Sequence, residues 1–298
     1  MDRRNFLKSG VAAASAIAIV NIPELDAGQA KYDLVAIKGG EPAQMFNAGI
    51  KELGGLSAFI KKGAKVVVKP NIGWDVPPER AGNTNPHLVA EIIKQCYNAG
   101  AKQVFVFDKT CDNWVKTYQN SGIEKAAKDA GATVVSGDSE DNYKEVEIKG
   151  AKVLKKVKVH ELILNCDTFI NVPILKHHSS SQVTISMKNL MGVIWDRKFW
   201  HRNDLHQCIT DLTLRIKPHL NVVDAYRVLK QNGPRSVSVD DVIFMKSQII
   251  STDIVAADAA AAKLFGVEPD SINYIKFADA MGIGRKNLDK LNIKRIKL

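Results

Sequence analysis

The 298-residue chain has little of what most often reveals a function. Its four cysteines, Cys96, Cys111, Cys166 and Cys208, never fall in a C-x-x-C spacing, so neither a zinc ribbon nor a ferredoxin-type cluster is written locally. No G-x-G-x-x-G follows the first apolar run and no G-x-x-x-x-G-K-[ST] occurs, so the usual marks of dinucleotide and nucleotide binding are missing. A G-x-S-x-G elbow is absent, and Ser179 to Ser181 beside His178 do not by adjacency make a hydrolase triad. A histidine pair four residues apart, which would bind metal from one helix face, is also lacking. Beyond the N-terminus, no apolar run approaches the roughly 20 residues that span a bilayer. Acidic side chains are outnumbered, giving a formal net charge of +10. Such an excess favours anionic partners.

What is present begins at the N-terminus. Arg3-Arg4-Asn5-Phe6-Leu7-Lys8 reads as a twin-arginine export signal, followed by a weakly apolar run from Val11 to Val20. Ala27-Gly28-Gln29-Ala30 suits a signal peptidase, so cleavage is expected after Ala30. This implies recognition by the twin-arginine machinery, a periplasmic or otherwise extracytoplasmic location, and a chain folded before export. The leader carries Arg3, Arg4 and Lys8 against Asp2, Glu24 and Asp26, so its removal leaves the charge at +10. Export argues against a nucleic-acid partner, and no zinc-finger or RNA-binding signature is present. The basic residues from Arg285 to Lys297 read as a solvated tail and helix face.

From residue 31 onward, apolar β-branched runs alternate with helical patterns. Strands are expected at 33–37, 65–69, 103–107 and 133–135, and helices at 43–60, 88–97 and 122–130. Residues 143–148 and 153–159 alternate apolar and charged positions around Gly150, which predicts a hairpin with one wet face. Strands at 168–175, 220–223 and 242–250 and helices at 204–216, 253–265 and 272–280 complete the pattern, with Thr252 as a cap and Gly266 as a stop. The expected fold is a single α/β domain over 31–298, with a mainly parallel, Rossmann-like layered sheet and a β-hairpin insertion.

Ligands of open parallel sheets collect beyond the carboxyl ends of the strands. The residues expected there are Lys69 and Asn71, Asp108, the stretch from Asn171 through Lys176, His177 and His178, then Asp224. Lys188 and Asn189 follow in an otherwise apolar segment. Lysine is costly to bury unpaired, so Lys176 and Lys188 either pair with acids such as Asp108 and Asp224 or face a cavity that receives an anion. His178 and His206 are the acid/base candidates, oriented by Asp108 and Asp224. An alternative makes His177, His178, His201, His206 and Asp224 metal ligands. Asn85, ahead of Pro86, is either a plain helix cap or part of an anion site at a helix start.

Lys69-Pro70-Asn71, Thr84-Asn85-Pro86, Asn171-Val172-Pro173 with Lys176 and His178, Lys188-Asn189-Leu190-Met191-Gly192, His206, Asp224, Gly233-Pro234, and Thr252-Asp253 with Asp258 resemble the motif series of domain-of-unknown-function family 362. The resemblance implies an α/β domain with a site built from these motifs, and it supplies no reaction. Some members of that family join the domain to a two-cluster ferredoxin module. This chain carries no such module, so the iron–sulfur label does not transfer and the cofactor stays open. Together these readings point to an exported, redox-linked or metal-assisted enzyme acting on a small anionic ligand held by Lys69, Asn71, Asn85, Lys176, Lys188 and Asn189. The alternative is a non-catalytic extracytoplasmic binding protein using the same cleft.

Overall fold

The computed structural model describes residues 31–298; the export signal read at 1–30 lies outside the described residues. In chain order the first half comprises β1 (Leu34–Lys38), α1 (Pro42–Glu52), β2 (Lys65–Pro70), α2 (Pro86–Asn98), β3 (Gln103–Val106), α3 (Trp114–Asn120), α4 (Ile123–Asp129) and β4 (Thr133–Val134). A hairpin of β5 (Tyr143–Glu147) and β6 (Lys156–His160) follows, then α5 (Glu161–Asn165), β7 (Thr168–Val172), β8 (Ile174–His178) and β9 (Gln182–Thr184). The remainder is α6 (Ser186–Asn189), α7 (Lys198–Arg202), α8 (Leu205–Arg215), β10 (Leu220–Leu229), β11 (Val242–Ser251), α9 (Ile254–Phe265), α10 (Asn273–Ala280) and β12 (Ile293–Lys297).

The main sheet runs β12-β1-β11-β10-β7-β2-β3-β4. All its neighbours along this path are parallel except around β11, which is antiparallel to both β1 and β10. The expected mainly parallel α/β architecture is therefore what the chain adopts, and the β5–β6 hairpin forms its own two-stranded antiparallel sheet. Successive strand residues point to opposite faces, so both faces need cover. Val66, Val68, Val104, Val106, Ile170 and Val222 pack with apolar residues of α1, α2 and α4. Val67, Phe169, Val223 and Ile249 pack on the other face with residues of α8, α9 and α10. The result is a three-layer sandwich.

Several local expectations are corrected. The strand expected at 168–175 is two strands, because Pro173 has no N–H for the ladder: β7 stops before it, and β8 leaves to pair with β10 and β9. The strand expected at 220–223 runs to Leu229, so Asp224 lies within β10 and not beyond its end. Helix α3 falls in a stretch the periodicity did not mark. Asp253, not Thr252, caps α9, with Oδ1 accepting from the N–H of Val255 and of Ala256 at 3.0 Å each. Gly266 closes that helix in the left-handed conformation at φ 92°. The basic C-terminal run is not a free tail or a helix face: Lys290 ends a single 3-10 turn, and Lys294, Arg295 and Lys297 lie in β12, which pairs in parallel with β1. Arg285 is tied by ion pairs to Asp33 at 2.7 Å and Asp253 at 3.4 Å.

Candidate functional site

A cavity of about 450 Å³ opens beyond the carboxyl ends of β2 and β3 and beside β8, α6 and α7. Lys69, Asn71, Asp108, Lys176, His178, Lys188 and Asn189 all line it, so seven of the ten singled-out side chains meet in one place. The wall also contains Lys109, Cys111, Gly192, Arg197 and His201. Five cationic side chains thus face one space in which, among the described residues, Asp108 is the sole acidic lining residue.

That acid is already engaged. Asp108 Oδ1 sits 2.9 Å from Lys69 Nζ, with both side chains buried, and Oδ2 accepts from the Ile72 N–H at 2.6 Å. The close approach depends on Gly192. A Cβ there would lie 1.7 Å from Asp108 Oδ1 and 2.7 Å from Lys69 Nζ. Lys69 also donates to Asn189 Oδ1 at 2.9 Å. From Asn189 a row of carboxamides crosses the strand ends: Asn71 Nδ2 donates to Asn189 Oδ1, Asn189 Nδ2 to Asn171 Oδ1, and Asn171 Nδ2 to Asn221 Oδ1, each at 2.9 to 3.0 Å. Ladder pairing places Asn171 opposite Lys69 on one side and Asn221 on the other, which fixes the row to the sheet.

Lys176 and Lys188 have no acidic partner among the described residues. Lys176 Nζ donates to Asn71 Oδ1 at 3.2 Å and to the Gly82 carbonyl at 2.5 Å. Lys188 Nζ meets only the thioether of Met191, at 3.2 Å, a weak acceptor. Burial is the main cause that lowers both ammonium groups, Lys176 to about 7 and Lys188 to about 8; neighbouring cations act in the same sense, and at Lys176 the charge of Asp108 opposes them. Burial likewise lowers Lys69, against the opposing pull of Asp108. His178 is driven down first by burial and then by Lys188 and Lys176, so it stays neutral; its Nδ1 accepts from the Ser180 N–H at 3.1 Å, which leaves the proton on Nε2.

Three candidates lie elsewhere. Asn85 is a cap, its Oδ1 accepting from the His87 N–H at 2.9 Å. Asp224 accepts from the Asn85 N–H at 2.7 Å and the Tyr226 N–H at 3.0 Å, and so anchors the start of α2 without orienting an imidazole. His206 stacks on Tyr274 with centroids 5.8 Å apart and does not line the cavity. Asp108, paired with Lys69, orients no imidazole either. Among the described residues no three His, Cys, Asp or Glu side chains gather as a metal-ligand set, so the histidines and Asp224 do not converge as the metal alternative requires. The four cysteines are free.

Asp258, quoted only as part of a motif, has a structural role at the site. Its Oδ1 accepts from the Ser186 N–H at 2.7 Å and its Oδ2 from the Met187 N–H at 3.0 Å. These bonds tether the short helix α6, which carries Lys188 and Asn189. Replacing Asp258 with alanine strands two buried N–H groups and should destabilise the fold by about 2–3 kcal/mol in denaturant titration. Looser seating of Lys188 should accompany the loss. Helix α6 is too short to leave a periodic signal in the sequence, and Arg197 and Lys109 lack any local motif.

The fold and the cavity define an α/β sandwich with a cation-lined hollow at one rim of its sheet. The chain belongs to the domain of unknown function family DUF362, whose profile matches residues 66–263. It is 22% identical over 248 residues to a thylakoid-associated protein of Synechocystis sp. (strain ATCC 27184 / PCC 6803 / Kazusa), covering 78% of this chain and 73% of that protein. The lactate racemase apoprotein from Thermoanaerobacterium thermosaccharolyticum has a similar fold, with a TM-score of 0.50, 11% identity and coverage of 77% of this chain. This chain spans 56% of the racemase chain's length.

Proposed function

We propose that the cavity binds a small organic anion and catalyses proton transfer on it, outside the cytoplasmic membrane. The observation that carries the reading is the pair of buried ammonium groups, Lys176 and Lys188, that face the cavity without an ion pair to any carboxylate among the described residues. A buried unpaired cation costs several kcal/mol, and an incoming anion removes that cost. Asn71 and Asn189 supply the surrounding amide dipoles, and Lys69 is held in place by Asp108. Lys176 does the acid/base work in this reading: an amine titrating near neutral pH can take a proton and return it. Lys188 and Lys69 hold negative charge that develops on the ligand. Lactate, the acid after which the similar racemase is named, belongs to the class of small organic acids that such a cavity suits. The extracytoplasmic placement rests on the Arg3-Arg4 signal, and exchanging both for lysine should leave the protein in the cytoplasmic fraction.

Proton linkage tests the reading. An anion favours the charged form of its lysine partners, raising their pKa values above about 7 and about 8. Binding at pH 8 should therefore take up protons, and affinity should fall as pH rises through that range. Titration calorimetry with lactate, oxalate and phosphate, run in Tris and in HEPES, reads the uptake as a buffer-dependent enthalpy. Binding without proton uptake, or none at all, contradicts the proposal.

A further inference from the structure

We infer that Cys111 is a reactive thiol of this cavity, placed to form a covalent bond with electrophilic carboxylic acids whose carboxylate the lysines hold. The inference rests on the anion-binding reading for its orienting charge, and it adds a nucleophile that this reading does not contain. Cys111 is exposed, whereas Cys96 and Cys208 are buried and Cys166 is half-buried. Burial drives the thiols of Cys166 and Cys208 up to about 12 and that of Cys96 higher still, which makes those three inert near neutral pH.

The thiol of Cys111 shares its cavity with Lys69, Lys176 and Lys188. Its position is fixed rather than incidental. The Cys111 N–H donates to the Gly73 carbonyl at 2.8 Å. Arg197 donates to the carbonyls of Lys109 and Thr110, at 3.0 and 2.5 Å, and its Nη1 lies 3.5 Å from Cys111 Sγ. The sulfur therefore sits beside a fixed cation at the cavity wall, open to a reagent that enters the cavity. The independent sign of a ligand is Lys188: the residue is 6% exposed, and among the described residues its ammonium finds no oxygen acceptor. A carboxylate paired with Lys188 would occupy the cavity that Cys111 also lines.

The reaction balances without a redox partner. With iodoacetate the sulfur's electron pair forms the S–C bond, the C–I bond breaks, iodide leaves with its pair, and the thiol proton passes to buffer. Iodoacetamide presents the same carbon without the charge, so the ratio of the two rates isolates the guidance. Peptide mapping by mass spectrometry should find Cys111 alkylated by iodoacetate in preference to iodoacetamide. The ratio should drop roughly tenfold in Lys188→Met. Added phosphate should slow the iodoacetate reaction at Cys111 while leaving labelling of the urea-unfolded chain unchanged. An equal ratio in wild type and Lys188→Met, or a Cys111 that resists both reagents until the chain is unfolded, overturns the inference. Phosphate binding to the same wild-type sample separates the two failures. Binding with unguided alkylation sinks the role of Cys111 alone, whereas absent binding sinks the anion reading and this inference with it.

Discussion

Replacing Lys188 with methionine should abolish binding of short anions and, at pH 7, raise the midpoint of thermal unfolding by several degrees. The two effects have one cause. Lys188 is buried, its ammonium finds among the described residues no acceptor but the Met191 thioether, and it is lowered to about 8 from its ordinary value of 10.5. A lysine whose folded pKa lies below its unfolded one weakens the fold wherever the unfolded chain would hold the proton. The penalty is therefore complete below about pH 8 and fades as pH climbs toward 10.5. At about 1.4 kcal/mol per unit, it reaches at most about 3.5 kcal/mol. Methionine fills a similar volume without charge and should lift the penalty. If Lys188 served only to brace the structure, the same change would lower the midpoint and leave anion binding intact. Scanning calorimetry at pH 7 and pH 10 checks the sign, because the gain from Lys188→Met should shrink at the higher pH.

The Gly192→Ala variant should lose about 3–5 kcal/mol of stability, the usual consequence of breaking a buried ion pair. The added methyl would lie 1.7 Å from Asp108 Oδ1, so carboxylate and Lys69 must part or the backbone must shift. A shift is resisted, since the Gly192 carbonyl accepts from the Lys109 N–H at 2.9 Å. Loss of the 2.9 Å contact leaves Asp108 with the Ile72 N–H and Lys69 with the Asn189 amide oxygen, neither of which replaces the opposite charge. Lys69→Met should do comparable damage, because it strands Asp108. The opposite outcomes expected for Lys69→Met and Lys188→Met distinguish a lysine that holds the fold from one that waits for a ligand. Urea titration of the variants measures all three; a Gly192→Ala protein within about 1 kcal/mol of wild type would show that the pair tolerates separation.

Where the chain writes its fold plainly, the signal is local. The Val66-Val67-Val68 run and its counterparts at 103–107 and 168–172 announce strands buried on both faces, and α2 and α9 carry helical spacing with recognisable ends. Strand direction is not written locally, so the reversed β11 has no sequence signature. Pro173 breaks a run that looks continuous, and a bulge between Ala225 and Arg227 lets β10 continue past Asp224. That bulge explains the fate of Asp224: the rule that polar residues after strands gather at the site is sound, but Asp224 is not after a strand. The same rule locates Asn71 and Asp108, which follow β2 and β3, and comes within a residue of the end of β2 for Lys69, whereas Lys176 reaches the cavity from within β8. Arg197, Lys109 and Cys111 are illegible as a group, since a loop spacing of 86 to 88 residues joins them only in three dimensions.

The central claim is that Lys176 and Lys188 are ammonium groups kept without a counter-charge until an anion arrives. Heteronuclear NMR of lysine-labelled protein, titrated from pH 5 to 11 with and without phosphate, measures this at the two amines themselves. The account predicts free-state midpoints near 7 and 8, displaced upward by a unit or more when phosphate is present. Midpoints near 10.5 in the free protein, or midpoints that phosphate does not move, would contradict it.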